Sequence, residues 1–490
     1  LIETKGWDLR RAASLVVAVA VCLSATAGCS KKAGSVDGAK RVLVFGMDGA
    51  TWDVIEPMMA AGELPNLKAL SENGVRGVLE SRNPALSPVV WSTIFTGRPH
   101  EEHGVLNWKT SQSRHRKVKT IWEMASERGL VTNIFNVPST YPPIPINGVM
   151  VSGFPLGGST IGGNTGIVVT SKDLDSDDVI PNYKLNAPRI RRHMKALETG
   201  EWSPWFDVRI RVRPTWIASM RIKKLEKDKF YLSPIYRQDD EYVLTFPADV
   251  KAMLREDVLD DRPYVAEGPG WSKHAEPDTP SYLSEHLTQV AEIQTDVAAS
   301  FAGGDWQLFV FINTLVDRVS HPYWAYANAA DYKELPPAKA KRYEEDVADA
   351  YRKADAQLGQ VLNAAKGEFY VMIASDHGFK SSPVATAYIG THHLDGIYMV
   401  SGPGIEPGRG ERAFIEDIGP TALYLMGLPL GEDMTGGVIP EVERDLGRPV
   451  DLIASWEDGV ARGSARPVDA ETWEQLKGLG YVEGDAPTAD

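Results

Sequence analysis

Three uninterrupted apolar runs, each closed by a polar turn, constrain this chain more than any other feature: RVLVFGMDGA, LFVFINTLVD and FYVMIASDHGF. Runs this short and uniformly apolar read as strands buried on both faces, as in parallel sheets covered by helices. Each delivers chemistry at its C-terminal end. The first stops at Gly46, Asp48 and Gly49. The second leads to Asp317 and, four residues on, His321, and the third presents Asp376 and His377 after Tyr370 to Ala374. Ligands of open α/β sheets bind outside the carboxyl ends of the strands, so three strands point their polar tips at one crevice.

Two further residues join them. Ser87 lies in NPALSPVVWSTIFTG, where Pro84 and Pro88 hold an extended turn before a helix-like stretch ending near Gly97. A serine at a helix start faces whatever anion the amides there attract. His392 follows in THHLDG, with His393 as its competitor. Asp48, Ser87, Asp317, His321, Asp376, His377 and His392 together form the constellation of a two-metal phosphoryl-transfer site, which clamps the attacking and leaving oxygens of an in-line displacement. Carboxylate and imidazole without thiolate suit Zn²⁺, with Mn²⁺ or Fe as competitors. Each piece also has a plainer reading. Asp48 alone fits a helix cap, Ser87 before proline fits a turn, and Asp317 with His321 fits a solvated helix face. Their joint occurrence in chain order is what points to a site.

That order, Asp, then Ser, then D-x-x-x-H, then DHG, then G-x-H, resembles the alkaline phosphatase superfamily. Within it the segments FGMDGATWDVI, SPVVWSTIFTGRPHEEHGV, VDRVSHPYW, SDHGF, HHLDGIYMVSGPGI and IGPTALYLMGLP are similar to the type I phosphodiesterase/nucleotide pyrophosphatase branch, particularly its bacterial predicted phosphohydrolases and phosphomutases. The likeness runs from about Arg41 to Tyr481. It implies a three-layer α/β/α sandwich, alkaline-phosphatase-like, with a mostly parallel central sheet and an inserted cap. It further implies two divalent metal ions. Asp317, His321 and His392 would hold one, and Asp48, Asp376 and His377 the other, with Ser87 bridging toward it as nucleophile. His392 is preferred over His393 because the family's ligand precedes the Asp-Gly pair, here Asp395 and Gly396, by three residues. The activity implied is hydrolysis of a phosphate-ester substrate, most of all a diester, through phosphoserine. A phosphotransferase of headgroup-transferase or mutase type, and a non-catalytic metal-binding lipoprotein, are the alternatives. Val90 stands where the pyrophosphatases carry asparagine three residues after the nucleophile, so nucleotide diesters are not implied. Trp91 reads either as a wall for the leaving group or as core.

The N-terminus carries a separate message. Arg10 and Arg11 precede an apolar stretch from Ala12 to Leu23, small residues up to Gly28, and then Cys29. This is the order of an export leader, too short and Ala-rich for a confident transmembrane span. SATAGCS resembles a bacterial lipobox, with Thr26 in place of the usual Leu. It implies a signal peptide over residues 1–28, a lipidated Cys29 as membrane anchor, a tether over 29–40, and an enzyme facing the periplasm or cell exterior. A plain signal peptide and a twin-arginine signal are the competing readings.

The remaining divisions expected are a first core segment over 41–155, an inserted cap over 156–300 and a second core segment over 301–490. The cap is inferred from a change of texture, with short β-like runs such as WFDVRIRVRP and KFYLSPIY broken by prolines and charges. Its Arg209, Arg211, Arg213, Lys223, Lys224, Tyr231 and Tyr236 either meet a charged substrate or form a solvated face. Helices are predicted over 343–365 and 417–428, and LKGLGYVEG is expected to pack back on the domain. At 490 residues and 43% hydrophobic content the chain can bury a large core. A net charge of −14 argues against binding nucleic-acid polymers. Only Cys22 and Cys29 occur, so neither disulfides nor thiolate ligands serve the exported domain.

Overall fold

The computed structural model describes residues 40–153, 160–161, 166–173, 187–210, 216–238, 244–259, 262–263, 281–333, 335–382 and 388–457. Residues 1–28, expected to be a signal peptide, Cys29, and the tail LKGLGYVEG lie outside these residues. Ten strands form the central sheet. In chain order they are β1 (Val42–Met47), β2 (Gly74–Glu80), β3 (Thr132–Phe135), β4 (Gly148–Val151), β5 (Thr245–Phe246), β6 (Leu308–Asn313), β7 (Tyr370–Ala374), β8 (Asp395–Ser401), β9 (Gly408–Arg409) and β10 (Ala413–Phe414). Their spatial order is β5-β4-β3-β6-β1-β7-β8-β2-β9, with β10 also on β2. The five consecutive strands β4, β3, β6, β1 and β7 pair in parallel, whereas β5 and β8 run against their neighbours.

The three apolar runs became β1, β6 and β7, side by side with β1 in the middle, and every residue of each is buried. Alternate side chains of a strand leave on opposite faces, and two separate cores record this. Leu43 and Phe45 pack with α1 (Trp52–Ala60), α4 (Ser281–Ala302), α5 (Leu315–Ala327) and α6 (Asp346–Ala364). Val42 and Val44 pack with α2 (Ser87–Thr96), α3 (Ile121–Glu127) and α7 (Ile418–Met426). The result is a three-layer α/β/α sandwich with a mostly parallel sheet. The helix predicted over 343–365 is α6, and its Val347, Ala350, Tyr351, Ala354, Leu358 and Val361 are all buried. The one over 417–428 is α7, stopped by Gly427 in the left-handed conformation.

The chain leaves the sheet after β4 and comes back to it at β5, which pairs with the same strand, Thr245 opposite Val151. Between them stand two small sheets: Ile167–Val169, Lys229–Leu232 and Ile222–Glu226 in one, Thr160–Ile161, Ile235–Arg237, Trp216–Met220 and Phe206–Ile210 in the other. Their core is their own, built from Ile190, Phe206, Val208, Met220, Phe230 and neighbours. The stretch 156–300 expected to be cap thus holds these two sheets, while β5 and α4 at its end pack on the central sheet. No described helix is long and apolar enough to cross a membrane.

Candidate active site

Parallel register alone brings three of the expected residues together. Gly46 of β1 lies opposite Ile312 of β6 and Ala374 of β7, so the segments that follow all emerge at one edge. There the Asp48 amide donates to the Asn313 carbonyl (3.0 Å), and the Asp317 amide, in the first turn of α5, donates back to the Asp48 carbonyl (3.1 Å). Gly49 makes this approach possible: its φ is +74°, and a Cβ there would stand 2.7 Å from Phe379 and 3.0 Å from the Asp317 Cα. Along α5, Asp317 and His321 share a face four residues apart. Both are buried, so the solvated-face reading does not apply. His392 arrives on a hairpin in which it opposes Phe379, two residues beyond His377.

The donor atoms converge. His392 Nε2 lies 3.0 Å from His321 Nε2, and both stand 3.4 Å from Asp317 Oδ1. His377 Nε2 stands 3.3 Å from Asp376 Oδ2, 3.7 Å from Asp48 Oδ1 and 4.0 Å from Asp317 Oδ1. Two overlapping groups of potential ligands result, Asp317 with His377 and His392, and Asp48 with Asp376 and His377. Asp317 therefore faces His377 as well as His321 and His392.

Several of these donor groups are oriented from behind. The indole N–H of Trp91 donates to Asp48 Oδ2 (2.9 Å) and the Gly49 amide to Asp376 Oδ1 (3.3 Å), leaving Asp48 Oδ1 and Asp376 Oδ2 turned inward. His392 donates through Nδ1 to the Ala85 carbonyl (2.6 Å), and His377 through Nδ1 to the Gly378 carbonyl (3.2 Å). Both tautomers thus present the Nε2 lone pair to the centre, the arrangement that metal-ligating imidazoles require. Among the described residues, Asp48 Oδ1, Asp317 Oδ1, Asp376 Oδ2 and His377 Nε2 are buried without a hydrogen bond. Four acceptors aimed at one another would be strongly destabilising unless a cation lies between them, so the donor set fits divalent metal.

Electrostatics agree. Burial, then the charges of Asp376 and Asp317, push the Asp48 carboxyl well above the usual carboxylate range. Burial and Asp317 do the same to Asp376. Burial also acts upward on Asp317, but His321 and His392 outweigh it and hold that carboxyl well below. Burial, then His392, keeps the His377 imidazole neutral, and burial lowers His392 likewise. The protein's own side chains cannot neutralise all three carboxylates here.

Ser87 opens α2, with Pro88 in its first turn and Gly97 as left-handed cap. Two contacts flank it in the chain: the Ala85 carbonyl two residues before it accepts from His392, and Trp91 one turn after it donates to Asp48. The Trp91 indole is fully buried, stacked on Phe95 (5.8 Å between ring centroids). It is core rather than a wall for the leaving group, and its N–H is a functional group that residue periodicity did not reveal. The available signal was Gly46 inside a strand: a Cβ there would lie 2.5 Å from the Trp91 ring.

His393, the polar residues that follow α2 and the basic and tyrosine residues expected in the cap have local partners or surroundings of their own. His393 Nδ1 accepts from the Asp395 amide, away from the cluster. Arg98 pairs with Glu102 (2.9 Å) and Asp433, His103 meets Thr93 Oγ1 (3.0 Å), His100 pairs with Glu101 (3.1 Å), and Asn107 caps a short turn. In the cap, Arg209 is exposed, Lys223 pairs with Glu285, Lys224 donates to the Leu197 carbonyl, and Tyr231 and Tyr236 are buried. Arg211 and Arg213 lie outside the described residues.

A sequence model described as type I phosphodiesterase / nucleotide pyrophosphatase matches residues 42–396, well over half of the chain. The chain belongs to that family. Membership places it in the alkaline phosphatase superfamily, among metal-dependent hydrolases of phosphate esters. No curated protein sequence matches it. Among solved structures, an alkaline phosphatase superfamily protein from Vibrio parahaemolyticus is similar at 12% identity and TM-score 0.35, covering 91% of this chain and 80% of that one. The phosphonate monoester hydrolase of Silicibacter pomeroyi is similar at 13% identity and TM-score 0.38, covering 85% and 78%. An alkaline phosphatase variant is similar at 13% identity and TM-score 0.41, covering 83% and 99%.

Proposed function

We propose that this family member is a two-metal phosphodiesterase with Ser87 as its nucleophile, held at a membrane surface through Cys29. The observation that carries the reading is the set Asp48 Oδ1, Asp317 Oδ1, Asp376 Oδ2 and His377 Nε2, buried without a hydrogen bond among the described residues. What brings Ser87 into the reading is that its helix starts between the Ala85 carbonyl that holds His392 and the Trp91 indole that holds Asp48. Asp317, His321 and His392 would hold one ion and Asp48, Asp376 and His377 the other, with Asp317 shared toward His377. Oxygen and nitrogen donors without sulfur favour Zn²⁺ over softer ions. When bound, two such cations supply charge neutralisation for the phosphoryl group and acidity for the serine hydroxyl.

The chain's own residues do the rest. Ser87 Oγ bonds to phosphorus as the bond from phosphorus to one alcohol oxygen breaks, and the serine proton ends on the departing alcohol. Water then attacks the phosphorus of this phosphoserine ester, its oxygen leaving in the released phosphate monoester while a proton returns to Ser87 Oγ. Trp91 and the Ala85 carbonyl keep Asp48 and His392 in place across both steps. The test is turnover of matched aryl phosphate monoester, phosphate diester and sulfate by the Zn²⁺- or Mn²⁺-loaded protein, with Ser87→Ala alongside. Diester cleavage lost in Ser87→Ala, with metal content unchanged, is the expected result. Undiminished turnover in that variant defeats the covalent mechanism.

A further inference from the structure

At the junction of the cap with α4 lies a buried cation with no hydrogen-bonding partner on one edge among the described residues. Arg221, at the start of the Ile222–Glu226 strand, is only 5% exposed, and its Nε and Nη2 make no hydrogen bond there. Its guanidinium carbon sits 3.7 Å from the Trp202 ring centroid and 5.5 Å from that of Trp205. Burial lowers its pKa to about 10, so it remains charged near neutrality. The nearby carboxylate of Glu285 is already taken, accepting from the Trp202 indole N–H (2.9 Å) and pairing with Lys223. His286, next along α4, packs against the same tryptophans with ring centroids 6.2 and 6.1 Å away. Its Nε2 is 2.8 Å from the Tyr236 hydroxyl, and its Nδ1 is buried without a partner among the described residues.

The unpaired atoms are informative in kind. Nε–H and Nη2–H are the two parallel donors along one edge of a guanidinium, the edge that meets two oxygens of a carboxylate, phosphate or sulfate at once. An aromatic neighbourhood that lies against the guanidinium and leaves this edge without an acceptor offers its two donors to an anion that enters by displacing what covers them. Glu285 and Glu292 act on the guanidinium with opposite charge, but two buried N–H groups left without acceptors are disfavoured.

We propose that the Nε/Nη2 edge of Arg221 binds an oxyanion, a carboxylate or a phosphate or sulfate group, within the Trp202–Trp205 enclosure, with His286 Nδ1 as a further polar group beside it. The receptor stands independently of the two-metal reading. The test is titration of the Zn²⁺-loaded full chain with sodium sulfate and, separately, sodium malonate at constant ionic strength, reading tryptophan fluorescence and melting temperature. Arg221→Lys and Arg221→Met run in parallel. All three share the metal cluster, so anion binding there cancels in the comparison. A saturable response is expected in the wild type, with affinity at least about tenfold weaker in Arg221→Lys, whose ammonium is a point charge without the fork. In Arg221→Met the response is expected to vanish while the melting temperature in anion-free buffer holds or rises. No saturable wild-type response, or equal affinity in Arg221→Lys, overturns the receptor. A second arm, resting on the phosphohydrolase reading, asks whose anion it is. A substrate-borne group predicts that Arg221→Lys slows only a carboxylate-bearing aryl phosphodiester, whereas a free anion predicts that sulfate alters turnover of the neutral one as well. Absence of all turnover with binding intact counts against the hydrolase reading alone.

Discussion

Replacing Trp91 by Phe removes one donor from behind one ligand, and its effect can be worked out in advance. The indole N–H to Asp48 Oδ2, at 2.9 Å and fully buried, is a hydrogen bond to a charged acceptor. Such bonds contribute about 1.5–3 kcal/mol. Removing a group that hydrogen-bonds a metal-binding side chain typically costs about 10–100-fold in metal affinity, which is about 1.4–2.8 kcal/mol, so the two routes agree. The variant is expected to bind Zn²⁺ some 10–100-fold more weakly in a chelator competition. The lost ring volume also leaves a partial cavity against Gly46 and Phe95, lowering the melting temperature. Phe95→Leu separates the two effects, because Phe95 shares that core without touching Asp48. Phe95→Leu should therefore lose stability and keep its metal affinity. If Trp91→Phe binds Zn²⁺ within about twofold of wild type, Asp48 is not positioned through that bond.

Three other outcomes are expected. In chelated protein, Asp48 and Asp376 carry raised pKa values, so the fold binds their protons more tightly than the unfolded chain does. Its stability is then fully present at low pH and is lost as pH rises through those values, whereas the Zn²⁺-loaded form keeps both carboxylates ionised. The gain in melting temperature on adding Zn²⁺ should therefore grow as pH rises above the ordinary carboxylate range, and a pH-independent gain would refute the charge argument. His392→Ala should abolish binding at one of the two ions, while His393→Ala, which removes only an acceptor for the Asp395 amide, should leave metal stoichiometry intact by elemental analysis. Expressed with its leader in a bacterium, the protein should partition with membranes, and Cys29→Ser should release it; equal partitioning of both would exclude the lipid anchor.

The central sheet was legible because burial on both faces leaves an unbroken apolar run closed by a polar turn, and β1, β6 and β7 all came from such runs. The helix α6 was legible for the complementary reason: its buried positions repeat at helical spacing. His392 rather than His393 joins the cluster because neighbouring strand residues face opposite ways, a parity that the sequence alone could not anchor to a side. Trp91 and the Ala85 carbonyl were not legible. A backbone oxygen leaves no mark on residue type, and a core tryptophan looks the same whether or not its N–H finds a carboxylate. Arg221 was missed among other basic residues of the cap, since what distinguishes it is lack of a partner, a property of three-dimensional surroundings.

The chain departs from β4 and returns on β5 beside it, with the Ser152 amide donating to the Leu244 carbonyl (2.8 Å) where the two ends meet. Departure and return at neighbouring points make the cap a cassette. Loop-closure cost grows only slowly with the length enclosed, so evolution can lengthen, shorten or exchange what lies between without disturbing the strand register that gathers Asp48, Asp317 and Asp376. One strand register can in this way carry many different insertions.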